Sequence, residues 1–365
     1  MKRRDFIKRA AVGAAAASSA VAAPYVIAQP KFEWRMVTTW PKNFPGLGTG
    51  AEVLAKMITD SSEGRLKVEV YGAGQIVPAF ESMDAVAGGT VEMGHGAPYY
   101  WKGKVPATQF IASLPFGLDA QEMNAWFQYG GGQQLADKVY AELGAKFFVS
   151  GNTGVQMGGW FNKKMNSLAD YKGLKMRIPG LGGEVVKAAG GNVVNLPGGE
   201  IAPALQSGAI DATEWVGPYN DLAFGLYKSA KYYYYPGWHE PATCLDNFIN
   251  LKAWNKLPSD LKTIVEVANT ATNQLVLSEF VARNNASLVE LKTKHKVEVI
   301  RFPDEILDGL GGLSGQVLTE LTAKDALSRE VFQSILKFRR DAIPWSRLSE
   351  QTYLAARDLP FKYAG

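Results

Sequence analysis

The sequence predicts an α/β fold built as two similar lobes, on three observations. Short strands and helices alternate along most of the chain, which is the pattern of α/β proteins. A chain of 365 residues exceeds the roughly 250–300 residues that one hydrophobic core usually serves. The third is a weak internal echo: "MDAVAGGTVEMGHG" (83–96) and "APALQSGAIDATEW" (202–215) both read as helix, glycine stop, short apolar strand and polar loop. A unit used twice implies two lobes that each deliver a strand end and its loop to a shared cleft.

The elements follow in order. "FEWRMVTTWP" alternates apolar and polar residues, a strand that ends before Pro41. A Gly-rich turn, "PGLGTG", leads into the helical spacing of "AEVLAKMITDSS". "LKVEVYGAG" is a second strand, "AFESMDAVAGG" a second helix closing on a glycine pair, and "TVEMGHGAPYYW" a strand running into a loop. "FFVSGNTGVQMGGWFN" is a strand interrupted by small residues and then resumed. In "LKMRIPG", Leu174, Met176 and Ile178 share one face and Lys175 and Arg177 the other, with Pro179 and Gly180 ending the strand. "EIAPALQSGAI" is a short helix with Pro203 near its start and Gly208 at its end. The Tyr-rich "KYYYYPGWHEPATCLDNFIN" has strand-like content broken by Pro-Gly and reads as a crossover between lobes. A long helix starts at Ser259 or Asp260 as N-cap, "VEVIRFP" is one more strand, and the remainder is helical.

Composition excludes several classes. Apolar residues make up 47% and charged residues 20%, the balance of a globular chain. The net charge of +4 resides in residues 1–28, where Lys2, Arg3, Arg4, Lys8 and Arg9 face a single Asp5. The rest is formally neutral, so a nucleic-acid partner has no electrostatic support. Those 28 residues have the form of a twin-arginine signal peptide: a basic "MKRRDFIK", a weakly hydrophobic "AAVGAAAASSAVAA", and small residues before Gln29. That predicts export of a folded protein to the bacterial periplasm. No later run approaches the ~20 apolar residues that span a bilayer. The single Cys244 can form no intramolecular disulfide and reads as a small buried hydrophobe.

Catalytic chemistry is hard to find. His95, His239 and His295 lie far apart without metal-ligand spacing, and no serine sits in a G-x-S-x-G elbow. "GLGTG" (46–50) and "PGLGG" (179–183) lack the third glycine of a dinucleotide loop. This silence favours a binding protein over an enzyme. Four polar or aromatic positions could face a cleft, each with a plainer reading beside it. Gln156 could serve a ligand or bond its own loop; Arg177 could hold a carboxylate through its planar fork or sit on the surface. Glu214 could be a site acid or a solvated strand end, and Trp215 a ligand platform or core.

"GNTGVQMGGWF", "LKMRIPG", "DATEWVGPY" and "YYYYPGWHE", in this order and spacing, resemble the solute receptors of TRAP transporters, the DctP family. The likeness is greatest to the branch that binds 2-oxo acids (alpha-keto acids), and it runs from "WRMVTTWPK" to the C-terminal helices. It implies a type II periplasmic-binding-protein fold: two α/β lobes around a hinged cleft, a long helix spanning both, and a helical C-terminus. Residues 29–150 would form most of lobe 1 and residues 151–240 most of lobe 2. Residues 241–365 would cross back to lobe 1 and supply the spanning and C-terminal helices. It also implies that the receptor closes on a small 2-oxo or 2-hydroxy monocarboxylate and hands it to the small and large subunits of a membrane permease. Pyruvate, longer oxo acids and lactate all fit that description, and no organic cofactor is implied.

Carried over by position, the resemblance implies that Arg177 pairs bidentately with the carboxylate. Gln156 would serve both ligand and cation. Glu214 would bind the cation through its carboxylate, and Trp215 through its backbone oxygen while its ring lines the pocket. Glu240 would be a further ligand-site acid, with Asn152, Tyr100 and Trp101 in the wall. A substrate carboxylate and Glu214 against one arginine leave one negative charge, which Na⁺ would neutralise; an ionised Glu240 would favour Ca²⁺. The loop "GHGAPYYW" and the proline of "MRIPG" depart from the branch pattern and bear on substrate choice. A homodimer through the C-terminal helix is a further implication. An exported enzyme acting on a small carboxylate and a ligand-presenting sensor subunit are the alternatives.

Overall fold

The computed structural model describes residues 31–362, so the predicted signal peptide lies outside the described residues. In chain order the strands are β1 (Phe32–Thr38), β2 (Leu66–Tyr71), β3 (Met93–Gly96), β4 (Ala145–Asn152), β5 (Gly159–Phe161), β6 (Lys175–Arg177), β7 (Asn192–Val194), β8 (Ala212–Thr213), β9 (Tyr232–Tyr235), β10 (Cys244–Asn250) and β11 (Glu298–Arg301). They form two sheets, ordered β2-β1-β3-β10-β4 and β11-β9-β5-β8-β6-β7.

The sheets share one plan. In the first, β1 runs parallel to β2 and β3, and β10 runs antiparallel to both β3 and β4. In the second, β6 runs parallel to β7 and β8, and β5 runs antiparallel to both β8 and β9. β3 and β8 therefore hold equivalent places, and they are the strands of the two echoed segments. The alternation in β2 buries Leu66, Val68 and Val70 and exposes Lys67 and Glu69.

The chain passes between sheets at β4–β5 and again at β9–β10, as the Tyr-rich segment predicted. The two connections, residues 153–158 and 236–243, are bonded side by side: the Thr153 amide donates to the Thr243 carbonyl (3.2 Å), Gln156 to Glu240 (3.2 Å) and Gly237 to Gln156 (2.8 Å). A Cβ on Gly237 would lie 2.4 Å from the Gln156 carbonyl oxygen. Backbone cannot yield as a side chain can, so Gly237→Ala is expected to destabilise the protein by about 1–3 kcal/mol, read as a lowered melting temperature. A variant that melts like the parent would contradict this packing.

Helix Ser259–Thr293 spans both halves. Leu261, Val265 and Ala268 enter the core with Trp34, Met36 and Leu54, while Val276, Phe280 and Leu291 enter another with Trp160, Trp215 and Tyr233. Pro258 precedes it, so Ser259 and Asp260 lie in its first turn and neither is the N-cap. Three other local expectations differ. The run 46–50 starts the helix Leu47–Ser61, with Gly46 at φ 70° under the Phe280 ring. Pro203 lies inside the helix Gly198–Gln206. β11 joins the second sheet beside β9, a placement absent from the reading of residues 241–365. Helix Asp304–Lys324 then packs Ile306 and Leu310 with Met176 and Val185, and Ala326–Ser346 returns Val331 and Ile335 to Phe110 and Tyr140 under the first sheet. Among the described residues no helix is long and apolar enough to cross a membrane.

Candidate functional site

β6 and β8 are parallel neighbours with Arg177 opposite Thr213, which sets Arg177 beside Glu214. Arg177 is 1% exposed, so its face of the strand is interior and the surface reading is overturned. The reason is its position at the strand end, where the second lobe meets the first. The guanidinium donates from Nη1 to the Glu214 carboxylate and to the Glu214 carbonyl (3.2 Å), and from Nε to the Leu196 carbonyl (3.1 Å). Its Nη2 is buried and has no hydrogen bond among the described residues. The Trp215 ring lies 5.1 Å from the guanidinium carbon, a cation–π distance that fixes the fork's plane. Burial pushes the Glu214 carboxyl up to about 7, outweighing the pull of Arg177 in the other direction.

The second connection brings two more groups. The His239 Nε2 lies 3.3 Å from the other Glu214 oxygen. Glu240 accepts from the Gln156 amide (2.9 Å) and from the Thr243 hydroxyl. Burial, then the nearby Glu214 charge, push Glu240 up to about 7, while burial pushes His239 down to about 4 and keeps its ring neutral. Ligand atoms of Glu214, His239 and Glu240 all lie within 4.8 Å of one another. Gln156 spends its Nε2 on Glu240, Thr243 (2.9 Å) and Thr153 (3.2 Å), which leaves Oε1 buried and without a partner among the described residues. The carboxylate oxygens of Glu214 and Glu240, with the unspent amide oxygen of Gln156 beside Glu240, are the oxygen donors a hard cation takes, while the neutral His239 ring faces the Glu214 carboxylate.

The wall residues divide. Tyr100 is half-buried, with its ring 4.8 Å from Tyr99 and 6.3 Å from Trp40. Burial holds its hydroxyl up to about 12 against the opposing pull of Arg177, so it remains a donor. Asn152 is buried; its Oδ1 caps the Gly154 amide (2.9 Å) and its Nδ2 has no partner among the described residues. Trp101 turns away into the core, where its indole nitrogen donates to Asp246 (2.8 Å), so it is no wall residue. Sequence reasoning missed His239, Thr243 and Tyr99. His239 and Tyr99 carried one signal, adjacency to Glu240 and Tyr100, and Thr243 only its place three residues after Glu240, since His239 reaches Glu214 through the fold and not through spacing.

Residues 36–325 match the family of bacterial extracellular solute-binding proteins, family 7, DctP. The chain belongs to that family. This receptor is 42% identical over 358 residues, 97% of its own length and 98% of the other's, to a protein of Nostoc sp. (strain PCC 7120) named monocarboxylate 2-oxoacid-binding periplasmic protein. It also matches two solved TRAP solute-binding proteins. That from Bordetella bronchiseptica RB50 is described as a mixed-occupancy dimer with copurified calcium and picolinate, and shares 38% identity at a TM-score of 0.88 over 90% of this chain and 97% of that one. The protein from Pseudoalteromonas atlantica T6c, with bound sodium and pyruvate, shares 40% identity at a TM-score of 0.87 over 91% and 100%. The receptor thus has the two-lobed periplasmic-binding-protein fold expected, is a periplasmic TRAP solute receptor that works with membrane permease subunits, and is no enzyme.

Proposed function

We propose that this receptor binds a small 2-oxo or 2-hydroxy monocarboxylate together with one metal cation in a closed cleft and delivers the acid to the permease. The observation that carries the reading is the buried, unpartnered Nη2 of Arg177 beside the Glu214–His239–Glu240 cluster. A carboxylate takes the free Nη2 of Arg177, through one nitrogen and not the expected bidentate fork because Nη1 and Nε are spent on Glu214 and Leu196, and its vicinal oxygen chelates the cation. Glu214, the Gln156 Oε1 and the Trp215 carbonyl hold that cation from the protein side, with the Trp215 ring, Tyr100 and Asn152 around the ligand. With Arg177 positive and Glu214, Glu240 and the substrate negative, the site lacks two positive charges. A divalent ion such as Ca²⁺ therefore suits it; Na⁺ is the second reading, favoured when Glu240 holds its proton. The relatives named with pyruvate or picolinate and with sodium or calcium support this chemistry.

Further parts of the proposal concern assembly and export. Residues 29–150 and 151–240 form the main parts of the two closing lobes, and 241–365 links and spans them. The twin arginines Arg3 and Arg4 direct export. The exposed Trp345, Leu348 and Tyr353 near the C-terminus form an apolar face for a homodimer. The test of the binding reading is a thermal-shift screen of 2-oxo and 2-hydroxy acids in Ca²⁺, in Na⁺ and in chelator. A ligand at a hundredfold its Kd stabilises by about 2.7 kcal/mol, so the acids should raise the melting temperature by several degrees in cation and little in chelator. Equal shifts in chelator would overturn the cation's part.

A further inference from the structure

Two buried aspartates outside the ligand cluster share one arrangement. Asp221 is 1% exposed and accepts from the Trp160 indole (2.9 Å), the Tyr233 hydroxyl (2.7 Å) and the Val216 amide (3.2 Å). Asp246 is fully buried and accepts from the Trp101 indole (2.8 Å) and the Tyr140 hydroxyl. Neither makes an ion pair among the described residues. Each carboxylate thus holds a tryptophan N–H and a tyrosine O–H on one oxygen, once in each lobe.

The bonds also fall at equivalent places. The Asp246–Trp101 bond ties β10 to the turn Pro98–Trp101, which follows β3 and carries Tyr99 and Tyr100. The Trp160–Asp221 bond ties β5 to the helix Pro218–Phe224. Through its other oxygen, Asp221 holds the Val216 amide, at the turn that follows β8 and carries Glu214 and Trp215. β5 and β10 are the antiparallel returns of their sheets, and β8 and β3 are their neighbours. Acid and indole have changed sides between the lobes while the connection is the same. At Gly96, a Cβ would come within 3.1 Å of the Trp101 ring and 3.3 Å of Asp246 Oδ1, so the first anchor also needs the glycine that ends β3.

A buried carboxylate without a cation is costly, and a core needing only volume would hold an apolar residue. Burial pushes both carboxyls up, Asp221 to about 7 and Asp246 to about 6. Above that range each is an acceptor-only group whose charge strengthens every bond it takes. We infer that Asp221 and Asp246 are paired positioning residues, each holding the cleft-facing turn of its own lobe in the conformation that receives the ligand. This rests on the ligand and cation reading above. It predicts different losses. The Asp221 turn carries Glu214 and the Trp215 carbonyl, so loosening it weakens the cation. The Asp246 turn carries Tyr99 and Tyr100, so loosening it weakens the acid.

The test is titration of the full chain with pyruvate at several Ca²⁺ concentrations. In Asp221→Asn, where an amide nitrogen must face one of three donors, Ca²⁺ affinity should fall about tenfold or more, with pyruvate affinity recovered at high Ca²⁺. In Asp246→Asn, pyruvate affinity should fall by about the same factor at saturating Ca²⁺, with no such recovery. Tyr233→Phe and Tyr140→Phe remove one donor each and should repeat the two patterns more weakly; they serve if an asparagine variant does not fold. A cation-dependent wild type with unchanged dissociation constants in these variants, whatever their melting temperatures, would overturn the anchors alone. A wild type that binds pyruvate equally in chelator would overturn the cation reading and the proposal with it.

Discussion

Arg177→Ala is expected to weaken binding of every acid by ~30-fold or more, since removing a buried, hydrogen-bonded charge from a binding pair costs roughly 2–5 kcal/mol. Two losses combine. In the proposed site the carboxylate loses the buried Nη2, which has no other hydrogen bond among the described residues. Glu214 loses the one cation that opposes its burial; its carboxyl, already up to about 7, rises further and holds its proton at neutral pH. A protonated Glu214 is a poor cation ligand, so the metal should weaken as well. The same protonation spares the fold, because no uncompensated charge is left inside, and the variant should be soluble and testable. Arg177→Lys keeps the charge but not the planar fork held by Leu196 and Glu214, and should recover only a fraction of the affinity. Calorimetric titration with pyruvate in Ca²⁺ measures both; affinity within about threefold of wild type in the alanine variant would sink the assignment.

Arg177 also shows where sequence reading stops. Alternation in "LKMRIPG" correctly buried Leu174, Met176 and Ile178. It could not tell that the opposite face is solvent at Lys175 and interior two residues later, because that depends on the other lobe covering the strand end. The lobe plan was readable for a local reason. Helix, glycine stop and strand are adjacent in sequence, so the 83–96 and 202–215 segments carried their topology with them to β3 and β8. His239 was unreadable for the opposite reason. Its contact with Glu214 spans 25 positions and exists only because the second connection folds back across the end of β8. The Tyr99–Trp101 stretch falls between these cases: three rings in a row offered no way to choose which faces the cleft until Asp246 drew Trp101 inward.

The cation is expected to bind more tightly as pH rises, with a slope that counts carboxylates. Glu214 and Glu240 are both pushed by burial from the usual carboxylate range to about 7. A raised carboxyl means that the folded protein holds those protons more firmly than the unfolded chain. In chelator, their contribution to stability is complete at low pH and lost as pH climbs through about 7. A cation binds only the ionised form, so its contribution runs the other way. His239, pushed down to about 4, is already neutral in this window and gives up no proton. Comparing Ca²⁺ with chelator at each pH also cancels groups away from the site, including Asp221 and Asp246. Between pH 5 and 6.5, the logarithm of Ca²⁺ affinity should rise by nearly two per pH unit, each displaced proton being worth about 1.4 kcal/mol per unit. In Glu240→Gln the slope should fall to about one, and the preference should move from Ca²⁺ toward Na⁺, since one fewer charge needs balancing. A pH-independent affinity, or a Glu240→Gln variant that still prefers Ca²⁺ with the wild-type slope, would remove Glu240 from the choice of ion.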